Sequence, residues 1–364
     1  MNGFKALKIR QICFFYIALL PVVKFFMMPS VLAEICAEDM WIAAAVNVCA
    51  DLLTAIALFF AFRNEEYDFF TLIRLKFGKV FYKAVLVFYF AFFMMKIFLP
   101  LNEQKDYVEL TLYMTTPTLL TFMPIFLVIV YIAAKKLRVL GRISDAVIFV
   151  AIAGYVFMFA LSFSSVNAAE LLPVGAQGAS RIFYGAYRAQ NWFGDGVYML
   201  FFCGNFVREK HAAGKFLFAA ILSGAIVVAF CITFYGSFGP IAFRQRFALT
   251  EISKYATVMN NIERFDFIAV FALLFVAIFS LCLPFFFAAE LLAEIFGMKK
   301  IYAGVAVAVP FIVLLLFFDK YYASIQNFIL TFGNGYFLFF GTVFPIVVAL
   351  LLKLCLKKEK RYEI

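Results

Sequence analysis

Three ionisable residues interrupt otherwise apolar stretches of this chain. Lys24 lies in Leu20-Pro21-Val22-Val23-Lys24-Phe25, and Asp51 in Val48-Cys49-Ala50-Asp51-Leu52-Leu53. Asp195 lies in Asn191-Trp192-Phe193-Gly194-Asp195-Gly196. A charge at the centre of a hydrocarbon-spanning helix costs about 2.5–3.5 kcal/mol on insertion scales and marks substrate or ion pathways. At 1.5 Å of rise per residue, Lys24 and Asp51 both fall roughly 14 Å below one surface of two neighbouring antiparallel segments. They can therefore pair. Such a pair is either a proton- or substrate-coupled element beside a binding site, or a structural bridge in which each charge offsets the burial of the other. Lys96 sits near the end of a third apolar run, just before Leu99-Pro100, and its long stem is expected to reach the interface as an anchor. Glu290 and Glu294 follow a later run and are expected to be solvated.

Other chemistry finds little support. The chain has one histidine, His211, in a basic gap, and seven scattered cysteines with no Cys-x-x-Cys pair. No metal site, disulfide framework or cofactor is expected. No acid–base pair, nucleophile elbow or phosphate loop stands out, so no enzyme is expected.

The elements that must hold these charges are apolar helices. Hydrophobic residues make up 66% of the chain, charged residues only 15%, and the mean hydropathy is +0.98. A soluble domain needs more polar surface than this. The apolar runs predict ten transmembrane helices at 11–34, 42–62, 82–101, 118–134, 143–163, 182–206, 215–236, 266–288, 301–318 and 335–354. The first run is too long and bulky for a cleaved signal peptide and reads as a retained helix. Residues 64–81 interleave charge with Tyr67, Phe69, Phe70, Leu72 and Ile73, the pattern of an amphipathic helix at the interface. The loop 237–265 reads either as a lid or partner surface, or as a plain connector. The many Phe and Tyr side chains are expected mostly to face lipid.

Lys and Arg concentrate in alternate gaps: Lys5, Lys8 and Arg10; Arg63 through Lys83; Lys135 through Arg142; Arg208 through Lys215; Lys299 and Lys300; and Lys353 through Arg361. The opposite gaps are much poorer. The positive-inside rule then places both termini in the cytoplasm. The net charge of +10 is spread over short loops and not gathered in one patch, which fits anionic lipid headgroups and not nucleic acid.

Three spans read as discontinuous. Pro21 and Pro29 interrupt span one, and the two glycines flanking Asp195 interrupt span six, with Asp195 a candidate N-cap of a fresh helix. Pro284 is expected to kink span eight. Breaks at corresponding positions in each group of five spans point to an inverted-repeat transporter fold with its site near the midplane; they also occur as kinks in a static bundle. The candidate ligand-binding residues are Val22, Val23, Lys24, Phe193, Gly194 and Asp195, with Asp195 taking a ligand amine and Lys24 a carboxylate.

Several segments, read in order, resemble the B-subunit family of spore germination proteins, endospore permeases of the amino acid–polyamine–organocation superfamily. They are Lys8-Ile9-Arg10-Gln11, Met28-Pro29-Ser30-Val31-Leu32-Ala33, Asp39-Met40-Trp41-Ile42, Gly141-Arg142-Ile143, Phe193-Gly194-Asp195, Phe234-Tyr235-Gly236 and Ile262-Glu263-Arg264-Phe265-Asp266. The resemblance implies an all-α integral membrane protein with a five-plus-five inverted repeat like that of the leucine transporters, discontinuous in helices 1 and 6. It also implies a membrane subunit of a nutrient-germinant receptor in the spore inner membrane. Such a subunit would recognise a small nutrient between spans one and six and work beside A and C subunits. Where that family tends to carry a small Gly-Ser or Gly-Thr pair at the first break, this chain has Val23-Lys24. A lysine there would fill the cavity or change the charge preference for a ligand. The rival expectation is a stand-alone, proton-coupled amino-acid transporter of the same fold, using Lys24 and Asp51 as its proton-sensitive element.

Overall fold

A computed structural model describes residues 7–62, 67–112, 118–206, 209–254, 266–317 and 319–362. The described residues are helical apart from turns and a single bridge, in which the Leu7 amide donates to Asn205 O over 3.0 Å. The helices are α1 (Ile9–Phe14), α2 (Met28–Cys36), α3 (Met40–Phe62), α4 (Phe69–Tyr107), α5 (Thr118–Ala133), α6 (Leu137–Ser162), α7 (Gly178–Arg188) and α8 (Tyr198–Phe202). They continue as α9 (Ala212–Phe238), α10 (Ala248–Lys254), α11 (Asp266–Ser280), α12 (Cys282–Phe296), α13 (Lys300–Phe317), α14 (Asp319–Leu338) and α15 (Phe344–Tyr362).

Among the described residues, 6 helical stretches are long and apolar enough to cross a bilayer. These are Met28–Phe62, Phe69–Leu110, Leu137–Ser165, Ala212–Arg244, Ile268–Phe296 and Tyr321–Cys355. Two shorter apolar helices, Leu120–Ala133 and Lys300–Leu315, fall where spans four and nine are expected. The stretches expected as spans one and six are broken into short helices and turns, and neither yields a long continuous rod.

Two expectations need correction, and a third holds in its described part. The segment 64–81 is expected as a separate amphipathic helix, and Phe69–Phe77 is a helix set off from span three by a kink at Gly78 (φ 84°, ψ 172°), a backbone conformation that glycine adopts without a Cβ penalty. Beyond the kink the rest of α4 forms span three. That helix also outlasts its expected end at residue 101, continuing through Asn102, Glu103, Gln104 and Lys105, all buried. Span eight is interrupted at Leu281 and not at Pro284 itself. The physical reason is local: a proline ring clashes with the carbonyl of the residue four positions earlier, here Ser280, so the α11 rod ends there.

The core is built from rings as much as from aliphatic side chains. Phe15, Phe25, Phe26, Phe59, Phe92, Phe93, Phe193 and Phe202 are fully buried. Phe25 stacks on Phe230 at 4.1 Å, and Phe201 meets Phe287 at 4.2 Å. The expectation that Phe chiefly faces lipid therefore fails for this inner set, although Phe149, Phe163 and Phe332 do point outward. Helix α3 packs on α9, α4 on α12, and α6 on α11, while the fragments of spans one and six run between them.

Candidate functional site

Span one loses its helix in steps. After α1 come a π-helical turn (Phe15–Leu19), a single α turn (Leu20–Val22) and a 3-10 turn (Val23–Phe25). Phe26 then leaves helical geometry (ψ −95°), and α2 restarts with Pro29 in its first turn. Pro21 and Pro29 each lack the amide that a continuous helix would use. In span six, Phe193 is extended (φ −102°, ψ −161°), and Gly194 is left-handed (φ 83°), before a 3-10 turn at Asp195–Val197 leads into α8. Gly196 allows close approach to span two. A Cβ there would stand 2.7 Å from Thr54 Cβ and 2.9 Å from Asp51 O.

The two breaks meet at Asp195, which is buried. The Lys24 ammonium donates to Asp195 Oδ2 and, over 2.9 Å, to Leu20 O. Lys96 Nζ lies 2.8 Å from Asp195 Oδ1 and also donates to Phe193 O and, at 3.4 Å, to Trp192 O. Lys24 Nζ stands 5.1 Å from the centroid of the Phe193 ring, a cation–π contact. Asp51 Oδ1 accepts the Gly194 amide at 2.8 Å. Lys24, Lys96 and Asp51, from three segments, thus bond backbone groups at the breaks, and Asp195 joins the two lysines.

This arrangement revises the intramembrane pair. Lys24 pairs with Asp195 and not with Asp51, because the left-handed Gly194 turns its amide onto Asp51 while Asp195 faces span one. Lys96 is no interfacial anchor: it is buried, and it closes the site from span three. The charge of Lys96 was visible in the sequence, but its role depends on α4 running past it for three more turns. Val22 is buried and lines neither small cavity described next, whereas Val23 lines one of them.

Two small cavities flank Asp195. One, of about 30 Å³, is lined by Tyr16, Lys24, Asp51, Phe193, Asp195 and Ser223, among others. The other, of about 20 Å³, is lined by Val23, Lys96, Trp192, Asp195, Tyr198 and Pro284, among others. Each has room for one or two waters. A larger cavity of about 390 Å³ opens at the bundle end that carries Arg74, Lys136 and Lys300. Its walls include Phe201 and Phe287, and Phe287 in turn meets Tyr198 at 5.9 Å, beside the smaller cavity.

Two further relationships lay outside the residues singled out from sequence. Trp192 Nε1 donates to Glu103 Oε1 over 2.6 Å. The loop after span seven is tied to the first break, since the Ala248 amide donates to Phe26 O over 3.1 Å. Where it is described, that loop packs on the first break; its residues 255–265 lie outside the described set. The signal for Glu103 was its position seven residues after Lys96, two helical turns along the same face.

A search of curated proteins finds no match for the chain. The family model for spore germination proteins, named as a spore permease family, matches residues 6–327. That match contains both breaks, all four converging charges and Glu103. The chain belongs to the spore germination protein family and is an integral membrane protein.

Proposed function

We propose that the chain is the membrane subunit of a spore nutrient-germinant receptor and recognises a small, amino-acid-like nutrient where spans one and six break. In this reading the ten apolar segments form a five-plus-five inverted repeat. Both termini lie on the cytoplasmic side of the spore inner membrane, and A and C subunits stand beside the bundle. The observation that carries the proposal is the convergence of Lys24, Lys96, Asp51 and Asp195 on both breaks. An amino acid brings one ammonium and one carboxylate. Its ammonium takes the place of Lys24 on Asp195, and its carboxylate takes the freed lysine. Buried charges then stay paired throughout, which avoids the large cost of stranding one of them. The cavities of about 30 and 20 Å³ are too small for an amino acid, so the closed form shown here must part before it binds. A nutrient that binds only the parted form shifts the population toward it.

The test is a thermal-shift screen of the purified chain against amino acids, nucleosides and sugars. An amino acid is expected to raise the unfolding temperature, and Asp195→Asn to abolish the rise. Nutrient-triggered germination is expected to fail with Lys24→Ala and with Asp195→Asn. Normal germination in both variants would place recognition elsewhere.

One observation favours a second reading, a stand-alone proton-coupled amino-acid transporter. The cavity of about 390 Å³ leads from the bundle end that carries Arg74, Lys136 and Lys300 beside Asp68, Glu290 and Glu294 to the rings of Phe201 and Phe287, as an exit path would. Uptake of labelled amino acid into liposomes holding only this chain decides between the two.

A further inference from the structure

Helix α4 carries the string Asn102-Glu103-Gln104-Lys105-Asp106 through the interior of the bundle. Most of these polar groups have clear partners. Asn102 Nδ2 donates to Gln326 Oε1 over 2.8 Å, and Gln104 Nε2 to Ala277 O over 3.0 Å. Lys105 pairs with Glu109, and Asp106 with Arg246. Gln104 Oε1 makes no hydrogen bond, but it is uncharged; Glu103 differs from its charged neighbours Lys105 and Asp106. It is fully buried, yet among the described residues no cation pairs with it. One oxygen accepts the Trp192 indole N–H, and Oε2 makes no hydrogen bond.

We propose that Glu103 is a proton-binding site that rests as a neutral carboxylic acid and joins the breaks of spans one and six. The argument is one of pairing. A buried carboxylate needs a cation or several N–H donors, and without them the group takes up a proton. The surrounding groups do not supply that charge. From α4 itself come Lys105, Asp106 and Tyr107, and the two charged ones are engaged with Glu109 and Arg246. From span six comes Trp192, and from span one the Met27 amide, just before α2. From α14 come the uncharged Tyr322 and Gln326, and Arg246 of the loop after span seven is held by Asp106. Lys96, two turns back on α4, is committed to Asp195.

Loss of the proton has a definite structural direction. The new negative charge faces the start of α2, where free amides and the helix dipole favour an anion. Deprotonation therefore draws the start of α2 and the Trp192 indole toward the carboxylate, and the position of the outer half of span one is linked to proton occupancy. This inference does not depend on nutrient binding at Asp195.

The protein supplies its own reporter. It contains two tryptophans, Trp41 and Trp192, so Trp41→Phe leaves the partner of Glu103 as the single indole. The full chain, purified in detergent in that background, is titrated with alkali while Trp192 emission is followed. Infrared spectra of the same samples at neutral pH are compared with those of Glu103→Gln. A protonated-carboxyl C=O band is expected in the parent and missing in Glu103→Gln. Trp192 emission is expected to shift as pH rises in the parent and to stay flat in the glutamine variant. Glu103→Asp, which keeps the carboxyl, is expected to retain a displaced band and a displaced titration, and it serves if the glutamine variant does not fold. An identical band and titration in Glu103→Gln, or no band in the parent, overturns the assignment.

Discussion

The amide of Gly194 donates to Asp51 Oδ1 over 2.8 Å, so the interruption of span six is held by the middle of span two. Asp195, the next residue, is held from the other side by Lys24 and Lys96. Lys96 also donates to Phe193 O, so Asp51 and Lys96 hold the N–H and the C=O of one peptide unit, Phe193–Gly194.

That relationship makes the charges non-additive. Lys96→Met removes one of the two ammoniums on Asp195, and Asp51→Asn removes one of the two carboxylates near them. Each single change leaves an unmatched buried charge and is expected to cost about 3–5 kcal/mol. The double variant restores the balance of sign. Its cost is expected to fall short of the sum of the singles by about 1–3 kcal/mol. Chemical unfolding in micelles, run as a double-mutant cycle, measures this term; strict additivity would show that the sites are independent.

The glycines of the second break are expected to differ sharply from a free one. Gly194→Ala places a Cβ at φ 83°, at a cost of about 1–2 kcal/mol. Gly196→Ala pushes a methyl against Thr54 and the Asp51 carbonyl and is expected to cost about 1–3 kcal/mol. Gly214, in the first turn of α9, has nothing within 4 Å of its ideal Cβ. Gly214→Ala is expected to be neutral or to stabilise by up to about 1 kcal/mol. Midpoints of thermal unfolding for the three variants give the comparison.

Lys24→Ala empties the place of an ammonium against Asp195. Methylammonium or another short alkylammonium is expected to fill it and raise the unfolding temperature of the variant, while leaving the parent unchanged. An excess of 100 times the dissociation constant would add about 2.7 kcal/mol. Equal responses of parent and variant would mean that the amine binds elsewhere.

Asp39 clamps the turn before α7, accepting the Gly175 amide at 2.6 Å and the Gln177 amide at 3.0 Å. Asp39→Ala strips both acceptors at once, and each orphaned amide is expected to cost about 1–3 kcal/mol where it stays buried. Limited proteolysis within 173–178 is expected to accelerate in the variant; an unchanged cleavage rate would mean that the turn orders itself.

Much of this molecule was legible from sequence, for reasons that can be named. Proline removes a backbone donor and paired glycines weaken a helix, so both breaks could be placed before any coordinates, although Pro100, Pro124 and Pro310 lie inside helices. The identity of Asp195 as the charge at the second break was equally plain. The pairing was not legible, because it depends on which way one left-handed glycine turns its peptide. Depth counted along a helix put Lys24 level with Asp51, but depth says nothing of azimuth. Lys96 was misread as an interfacial anchor, and Glu103 was missed, for a different reason. Polar residues after an apolar run look like the start of a loop, and only the continued packing of α4 against α12 and α14 keeps them inside. The interior Phe residues were misread because hydropathy is the same toward lipid and toward core.

Lys96 and Glu103 stand seven residues apart on one rod, roughly 10 Å along its axis and nearly in line. The first grips the backbone of the span-six gap and the second grips its indole. Two-point attachment of this kind resists hinging, much as a door held at top and bottom cannot swing about either bolt. The gap can part only when α4 travels with it as a unit, or when one of the two grips has already been surrendered.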